Sequence, residues 1–188
     1  MVKRVFDIFI SLIGLIFISP LFLVLIIFSA IDTSSNGFFL QIRIGKEGKK
    51  FLIYKIRTYH AINHTLSNYG RWLRKSKLDE IPQLINILKG EMSLVGPRPD
   101  VEKAYDKLSV EHKKIMCLKP GITSLATLKY YNEEYLLRNV ENQKDYIDKV
   151  IFPDKVRMNM YYFYNQSIVL DIKILIRTII VVIFKNKQ

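Results

Sequence analysis

Residues 8–31 read IFISLIGLIFISPLFLVLIIFSAI, and this run decides what kind of fold the chain adopts. Its 24 residues carry no formal charge. At about 1.5 Å per residue, a helix of that length reaches across a bilayer core of roughly 30 Å. The run is too long for the apolar region of a cleavable signal peptide, and no small-x-small site follows it. Its middle holds Ser19-Pro20. Pro20 has no amide hydrogen and its ring crowds the carbonyl of residue 16, so a kink or break is expected near Ser19. The Ser19 hydroxyl is placed to satisfy a freed carbonyl. Two arrangements stay open: a kinked helix that spans, and a re-entrant helix that turns back at Ser19-Pro20 with both ends on one face.

Charge bears on that choice. Residues 1–40 carry Lys3, Arg4, Asp7 and Asp32, which sum to zero. Residues 41–77 carry ten Lys/Arg against Glu47 alone, so +9 of the net +12 lies in this block. Lys3 and Arg4 before the apolar run and the basic block after it both favour the cytoplasmic side. A single span cannot place both there, whereas a hairpin can. The block itself seeks phosphate, whether in nucleic acid, an anionic membrane face or a phosphorylated substrate.

The remaining composition sets limits. With 188 residues, 49% of them hydrophobic, the chain can build one domain with a core and is not disordered. The single cysteine, Cys117, excludes an intramolecular disulfide and Cys-rich zinc sites, and is expected to be a small buried residue. His60 and His64 are four apart but have no nearby third ligand. No Walker A or GxGxxG pattern occurs. Residues 38–44 and 51–57 are β-prone and flank GKEGKK, which predicts a β-hairpin with a cationic tip. Residues 168–184, IVLDIKILIRTIIVVIF, place Lys173 and Arg177 on one helical face, and the uncharged tail is too short to span. They predict a helix in the membrane interface or, alternatively, a core helix.

Residues 79–88, DEIPQLINIL, have helical spacing at Ile81, Leu84, Ile85 and Leu88. Asp79 is an N-cap candidate, Pro82 is tolerated in a first turn, and Gly90 is a stop signal. Asp79 and Glu80 would then sit at a positive helix end behind Arg71, Arg74, Lys75 and Lys77, which favours ionised carboxylates. That suits a nucleophile or a metal ligand, and equally a plain cap. In Gly96-Pro97-Arg98-Pro99 two prolines display one arginine, a fork for phosphate or a solvated turn. Lys119-Pro120-Gly121-Ile122-Thr123 could offer backbone amides to an anion.

In order along the chain, these motifs resemble the small bacterial sugar transferases, the monotopic phosphoglycosyl transferases of surface-glycan assembly. The resemblance runs from Lys3-Arg4-Val5-Phe6-Asp7 and Ser19-Pro20 through Gln41-Ile42-Arg43-Ile44-Gly45 and Tyr54-Lys55-Ile56-Arg57-Thr58. Its densest part is RKSKLDEIPQL at 74–84, continuing NILKGEMSLVGPRP at 86–99. Lys119 to Thr123, Tyr161-Tyr162 and Ser167 to Leu175 complete it.

The resemblance implies a re-entrant helix broken at Ser19 and Pro20, with the catalytic domain on the cytoplasmic face of the bacterial inner membrane. It implies transfer of a sugar 1-phosphate from a UDP-sugar to undecaprenyl phosphate with release of UMP. Asp79 would be the nucleophile that forms a covalent phosphosugar intermediate, and Glu80, with Asp79, would hold Mg²⁺. A depressed Asp79 pKa would keep that nucleophile anionic. Lys55, Arg57, Arg74, Pro97 and Arg98 would bind substrate. Partners would be UDP-sugar, undecaprenyl phosphate and anionic lipids, with a homodimer and downstream glycosyltransferases as further partners and no nucleic acid.

The chain departs from the family pattern at Ile44, at Lys119, across Ser124-Leu125-Ala126-Thr127 and at Asn159. The departure across 124–127 bears on nucleotide or sugar contacts in that region, and none of these positions touches Asp79, Glu80 or Arg98. The expected fold is mixed α/β and mainly helical: an N-terminal re-entrant membrane helix (1–35), then a cytoplasmic-face catalytic domain (36–188) with a short hairpin and interfacial C-terminal helices. The alternative reading is a weakly active or inactive membrane-tethered basic protein that binds anionic lipid or nucleic acid.

Overall fold

The computed structural model describes residues 2–99, 108–138 and 140–184. Helix α1 spans Val2–Thr33 with Pro20 inside it. The helix is not interrupted there. Pro20 cannot bond the Ile16 carbonyl, and the Ser19 hydroxyl donates to that same oxygen at 2.8 Å instead.

Both ends of α1 are held by one body. Near its start, Arg4 donates through both terminal guanidinium nitrogens to the carbonyls of Ile87 and Leu88. Near its end, Ser29 Oγ donates to the Arg57 carbonyl at 2.7 Å. A helix spanning the bilayer would put these two ends on opposite faces, so the arrangement is monotopic. Between them Ile16, Phe17, Leu21, Leu23 and Val24 stand exposed. Such a contiguous apolar surface is lipid-facing rather than water-facing. The basic flanks place the domain at the cytoplasmic face of the membrane.

Strands β1 (Phe38–Ile44) and β2 (Lys50–Ile56) form the antiparallel hairpin, with Ile42 opposite Leu52 and Phe39 opposite Lys55. Helix α2 (Asn68–Lys75) is capped by Ser67, whose hydroxyl accepts from the Gly70 amide. A 3₁₀ turn, Leu78–Glu80, leads to α3 (Gln83–Lys89), which Gly90 ends at φ 88°. Asp79 is therefore not a helix cap, contrary to the sequence expectation. Pro82 occupies the N-cap of α3, and the acidic pair sits in the preceding turn.

Strands β3 (Ser93–Val95) and β4 (Gly121–Thr123) pair in parallel. The chain continues through α4 (Leu125–Lys129), α5 (Glu133–Leu137) and α6 (Gln143–Tyr146). A π turn, Ile147–Ile151, runs into α7 (Phe152–Asn165), and α8 (Ile168–Phe184) follows. On α8, Asp171 and Ile174 are buried while Ile172, Lys173, Ile176 and Arg177 face outward, as an interfacial helix requires. Cys117 is exposed, not buried as expected.

Two apolar clusters flank the acidic turn. Ile53, Ile87, Met92, Leu94, Val95, Tyr162 and Ile174 form the first, and Leu84 packs on it. Leu25, Ile56 and Leu73 form the second, joined by Phe22, Leu78 and Ile81. The residues on either side of Asp79-Glu80 are thus clamped into core. A buried polar network ties α1 to the rest. Asp7 accepts from Ser93 Oγ (2.8 Å) and the Leu94 amide (3.2 Å). Lys3 bridges to Asp171 at 2.6 Å, and Asp171 accepts from the Tyr162 hydroxyl at 2.5 Å.

Candidate active site

The acidic turn starts from Lys77, whose φ of 58° is unusual for a residue with a side chain. That left-handed step turns the chain so that Asp79 and Glu80 both point inward, and both are buried. Strand β2 brings Lys55 alongside, and its ammonium donates to Glu80 Oε1 at 2.9 Å. Arg98 Nη2 reaches the same oxygen at 3.3 Å.

The position of Lys55 depends on a residue the sequence did not single out. Asn86, fully buried on α3, accepts from the Tyr54 amide (3.1 Å) and donates to the Leu52 carbonyl (2.7 Å). Its carboxamide acts as one residue of a third strand and fixes the free edge of β2. The signal available in the sequence was a polar residue inside the apolar pattern of 81–88, where a buried amide must find partners.

Arg98 is held by backbone packing. The Gly121 amide donates to the Pro97 carbonyl at 2.8 Å, and the Gly96 amide to the Thr123 carbonyl at 3.0 Å. A Cβ on Gly96 would lie 2.2 Å from the Lys119 carbonyl, so only glycine allows this approach. Of the backbone amides that the 119–123 turn could offer to an anion, that of Gly121 is therefore already taken. That amide locks the Arg98 loop.

A cavity of about 910 Å³ opens over the acidic pair. Lys55, Arg74, Pro97 and Arg98, four of the five residues expected to bind substrate, line it with Asp79 and Glu80. Arg57 does not line it: its Nε donates to the Phe38 carbonyl at 3.2 Å and its guanidinium lies over the Phe39 ring. Arg71, Lys75, Lys77, Arg138 and Lys155 add cations, so eight positive side chains face Asp79, Glu80 and Glu133. The far wall carries Thr127, Tyr130 and Asn159. Two of these are positions where the chain departs from the family pattern. Tyr130 is fixed there by donating to Asp154 at 2.8 Å, and Lys155 by pairing with Glu133 at 2.6 Å. Lys155 was not marked by sequence, because tertiary packing alone brings α4 and α7 to this wall.

The two carboxyls have opposite electrostatics. For Glu80, burial opposes ionisation, but Arg98 and Lys55 outweigh it and hold the group down at about 2. For Asp79, burial and the neighbouring Glu80 charge push the pKa up to about 6, against the pull of Lys55, Lys77 and Arg74. The expected depression of the Asp79 pKa is thus reversed. The cause is burial beside an already ionised neighbour. Asp79 Oδ1 is buried and has no hydrogen-bond partner among the described residues. A buried oxygen of this kind is costly to leave unpaired, which favours an incoming partner for the Asp79 carboxyl.

Residues 1–185 match the family described as bacterial sugar transferase, and the chain belongs to it. Its relatives include the UDP-glucose:undecaprenyl-phosphate glucose-1-phosphate transferase of Klebsiella pneumoniae, 32% identical over 94% of this chain and 39% of that protein. The exopolysaccharide production protein PSS of Rhizobium leguminosarum bv. phaseoli is 30% identical over 98% of this chain and 96% of its own length. A UDP-N-acetylgalactosamine-undecaprenyl-phosphate N-acetylgalactosaminephosphotransferase of Aeromonas hydrophila is 31% identical over 95% of this chain and 43% of that protein. The chain thus spans about two-fifths of two of these relatives and nearly all of the third. It is an enzyme of the phosphoglycosyl transferase class.

Proposed function

We propose that the chain transfers a sugar 1-phosphate from a UDP-sugar to undecaprenyl phosphate, the first membrane step of surface-glycan assembly. The observation that carries this reading is the unpartnered, buried Asp79 Oδ1 on a cavity wall crowded with cations. An inactive basic binder gives no reason for that oxygen. The relatives' named donors are UDP-glucose and UDP-N-acetylgalactosamine, so the nucleotide is common to them and the sugar is not.

In this reading Asp79 attacks the β-phosphorus of the donor. The bond from that phosphorus to the bridging oxygen breaks, and UMP leaves with the electron pair. The sugar phosphate stays on Asp79 as an acyl phosphate. An oxygen of undecaprenyl phosphate then attacks the same phosphorus, returning the carboxylate and giving the lipid diphosphate sugar. Lys55 and Arg98 exchange part of their bonding with Glu80 for the diphosphate oxygens, and Arg74 adds charge at the same wall. Arg57 acts indirectly, by stiffening the base of the hairpin that carries Lys55.

The donor set fits Mg²⁺. Two adjacent carboxylates supply hard oxygens, and this ion usually takes its remaining ligands from substrate phosphates and water. Among the described residues no cluster of three or more His, Cys, Asp or Glu side chains that could hold a metal occurs; in this reading Asp79 and Glu80 would be the protein's donors. When bound, the ion offsets charge on the diphosphate.

Residues 1–35 form the membrane unit in this reading and 36–188 the catalytic domain, with Ser19-Pro20 deepest in the leaflet. A homodimer and association with downstream glycosyltransferases are further expectations. The test is UMP release by the protein in nanodiscs with Mg²⁺, undecaprenyl phosphate and a panel of UDP-sugars. Release that needs lipid, metal and Asp79 supports the proposal. Folded, membrane-bound protein that releases no UMP with any donor overturns it.

A further inference from the structure

Helix α2 has two flanks on either side of the buried Leu73. One carries Arg74, which lines the cavity. The other carries Tyr69 and Trp72, whose rings stack at 5.9 Å. The Tyr69 ring in turn lies 6.3 Å from Phe28 on α1, and its hydroxyl donates to the Leu25 carbonyl at 2.7 Å. Phe28, at 57% exposure, and Trp72, at 49%, stand open at the two ends of this row. The row is continuous with the exposed apolar surface of α1. Tryptophan and tyrosine, apolar bodies with one polar tip, concentrate at the headgroup level of bilayers. Arg71 and Lys75, which also line the cavity, are exposed on α2 between the two flanks and complement anionic phosphates at that depth.

We infer that α2 is a second membrane contact, seating Trp72 and Tyr69 in the headgroup zone of the leaflet that holds α1. Its opposite flank then brings the cationic wall of the cavity to the depth of lipid phosphates. The seam between α1 and α2 thus sets how deep the cavity mouth rides. This inference rests on the reading of α1 as bilayer-inserted.

Trp72 is the single tryptophan of the chain, so its emission reports this site alone. The full chain is placed in vesicles of phosphatidylcholine and phosphatidylglycerol carrying bromines at shallow or at deep acyl positions, with iodide as the aqueous quencher. The expected result is loss of most Trp72 emission to shallow bromines, less loss to deep ones, and little to iodide. The companion probe is Phe17→Trp in a Trp72→Phe background, because Phe17 lies beside the middle of α1 and is 80% exposed. If that probe is quenched by bromines while Trp72 answers only to iodide, the α1 anchor stands and the α2 contact is overturned. Stronger quenching of Trp72 by deep bromines overturns the headgroup seat. If neither position responds to bromines, both readings fall.

Discussion

The molecule buries two groups of carboxylates, and it treats them differently. Asp7 and Asp171 lie where α1 meets β3 and α8, and every contact there is paired: Lys3, Ser93, the Leu94 amide and the Tyr162 hydroxyl surround them. Asp79 and Glu80 lie under the cavity. There the cations gather on Glu80, and one oxygen of Asp79 has no hydrogen-bond partner among the described residues. A structural carboxylate is satisfied within the chain. A reactive one is held in place and left short of a partner that substrate must bring. The same residue type at similar burial therefore does different work according to whether its bonds are closed.

The largest effect expected from this contrast is on catalysis. Asp79→Asn removes the nucleophile and should lower UMP release by about a thousandfold or more, while leaving the thermal unfolding temperature equal or higher. If unfolding falls as far as activity does, Asp79 belongs with the structural pair. The converse substitution, Asp171→Ala, takes from Lys3 and Tyr162 their shortest acceptor, leaving Lys3 the longer contact to Asp7 and Tyr162 the Val95 carbonyl, and should cost about 3 kcal/mol of stability. Protein that remains folded should still show the Asp79-dependent reaction, read by denaturant unfolding alongside turnover.

A third expectation concerns pH, with metal absent. Asp79 has a folded pKa of about 6, above its ordinary 3.8, so the folded state binds the extra proton between those values. Stability then falls as pH rises through this window. The advantage of Asp79→Asn over the parent chain should be complete above about pH 6 and vanish below the ordinary carboxylate value. Its full size is on the order of 3 kcal/mol. Glu80 runs the other way, and its stabilisation is lost as pH falls toward about 2. A stability difference that does not vary with pH would mean that Asp79 is not the high-pKa group. The smallest effect expected is that of Ser19→Ala, which frees the Ile16 carbonyl inside α1 and should cost about 1 kcal/mol.

Much of this was legible in the sequence, for identifiable reasons. The apolar run and its flanking charges gave the anchor. The β-prone runs around GKEGKK predicted the hairpin to within one residue at its second strand. The acidic pair and Gly-Pro-Arg-Pro were found as motifs, and the fold places them in one cavity. Other features depended on partners distant in the chain. Asp79 looked like a helix cap with a depressed pKa because local rules count its neighbours in sequence, whereas burial and Glu80 decide its protonation. The Lys3 to Asp7 segment matched a family pattern without a stated role. Its role became visible only when α8 supplied Asp171. Tyr130, Lys155 and Asn159 share a cavity with Arg98 only through the packing of α4 and α7.

The most direct test is to trap the intermediate. The protein is incubated with a UDP-sugar that it uses, and with Mg²⁺, but without lipid acceptor, and its peptides are then weighed by mass spectrometry. A mass gain of one sugar phosphate on the peptide holding Asp79, matched by equimolar UMP and lost in Asp79→Asn, is the expected result. UMP that appears only when undecaprenyl phosphate is present, with no label retained on the chain, would contradict it and point to direct transfer.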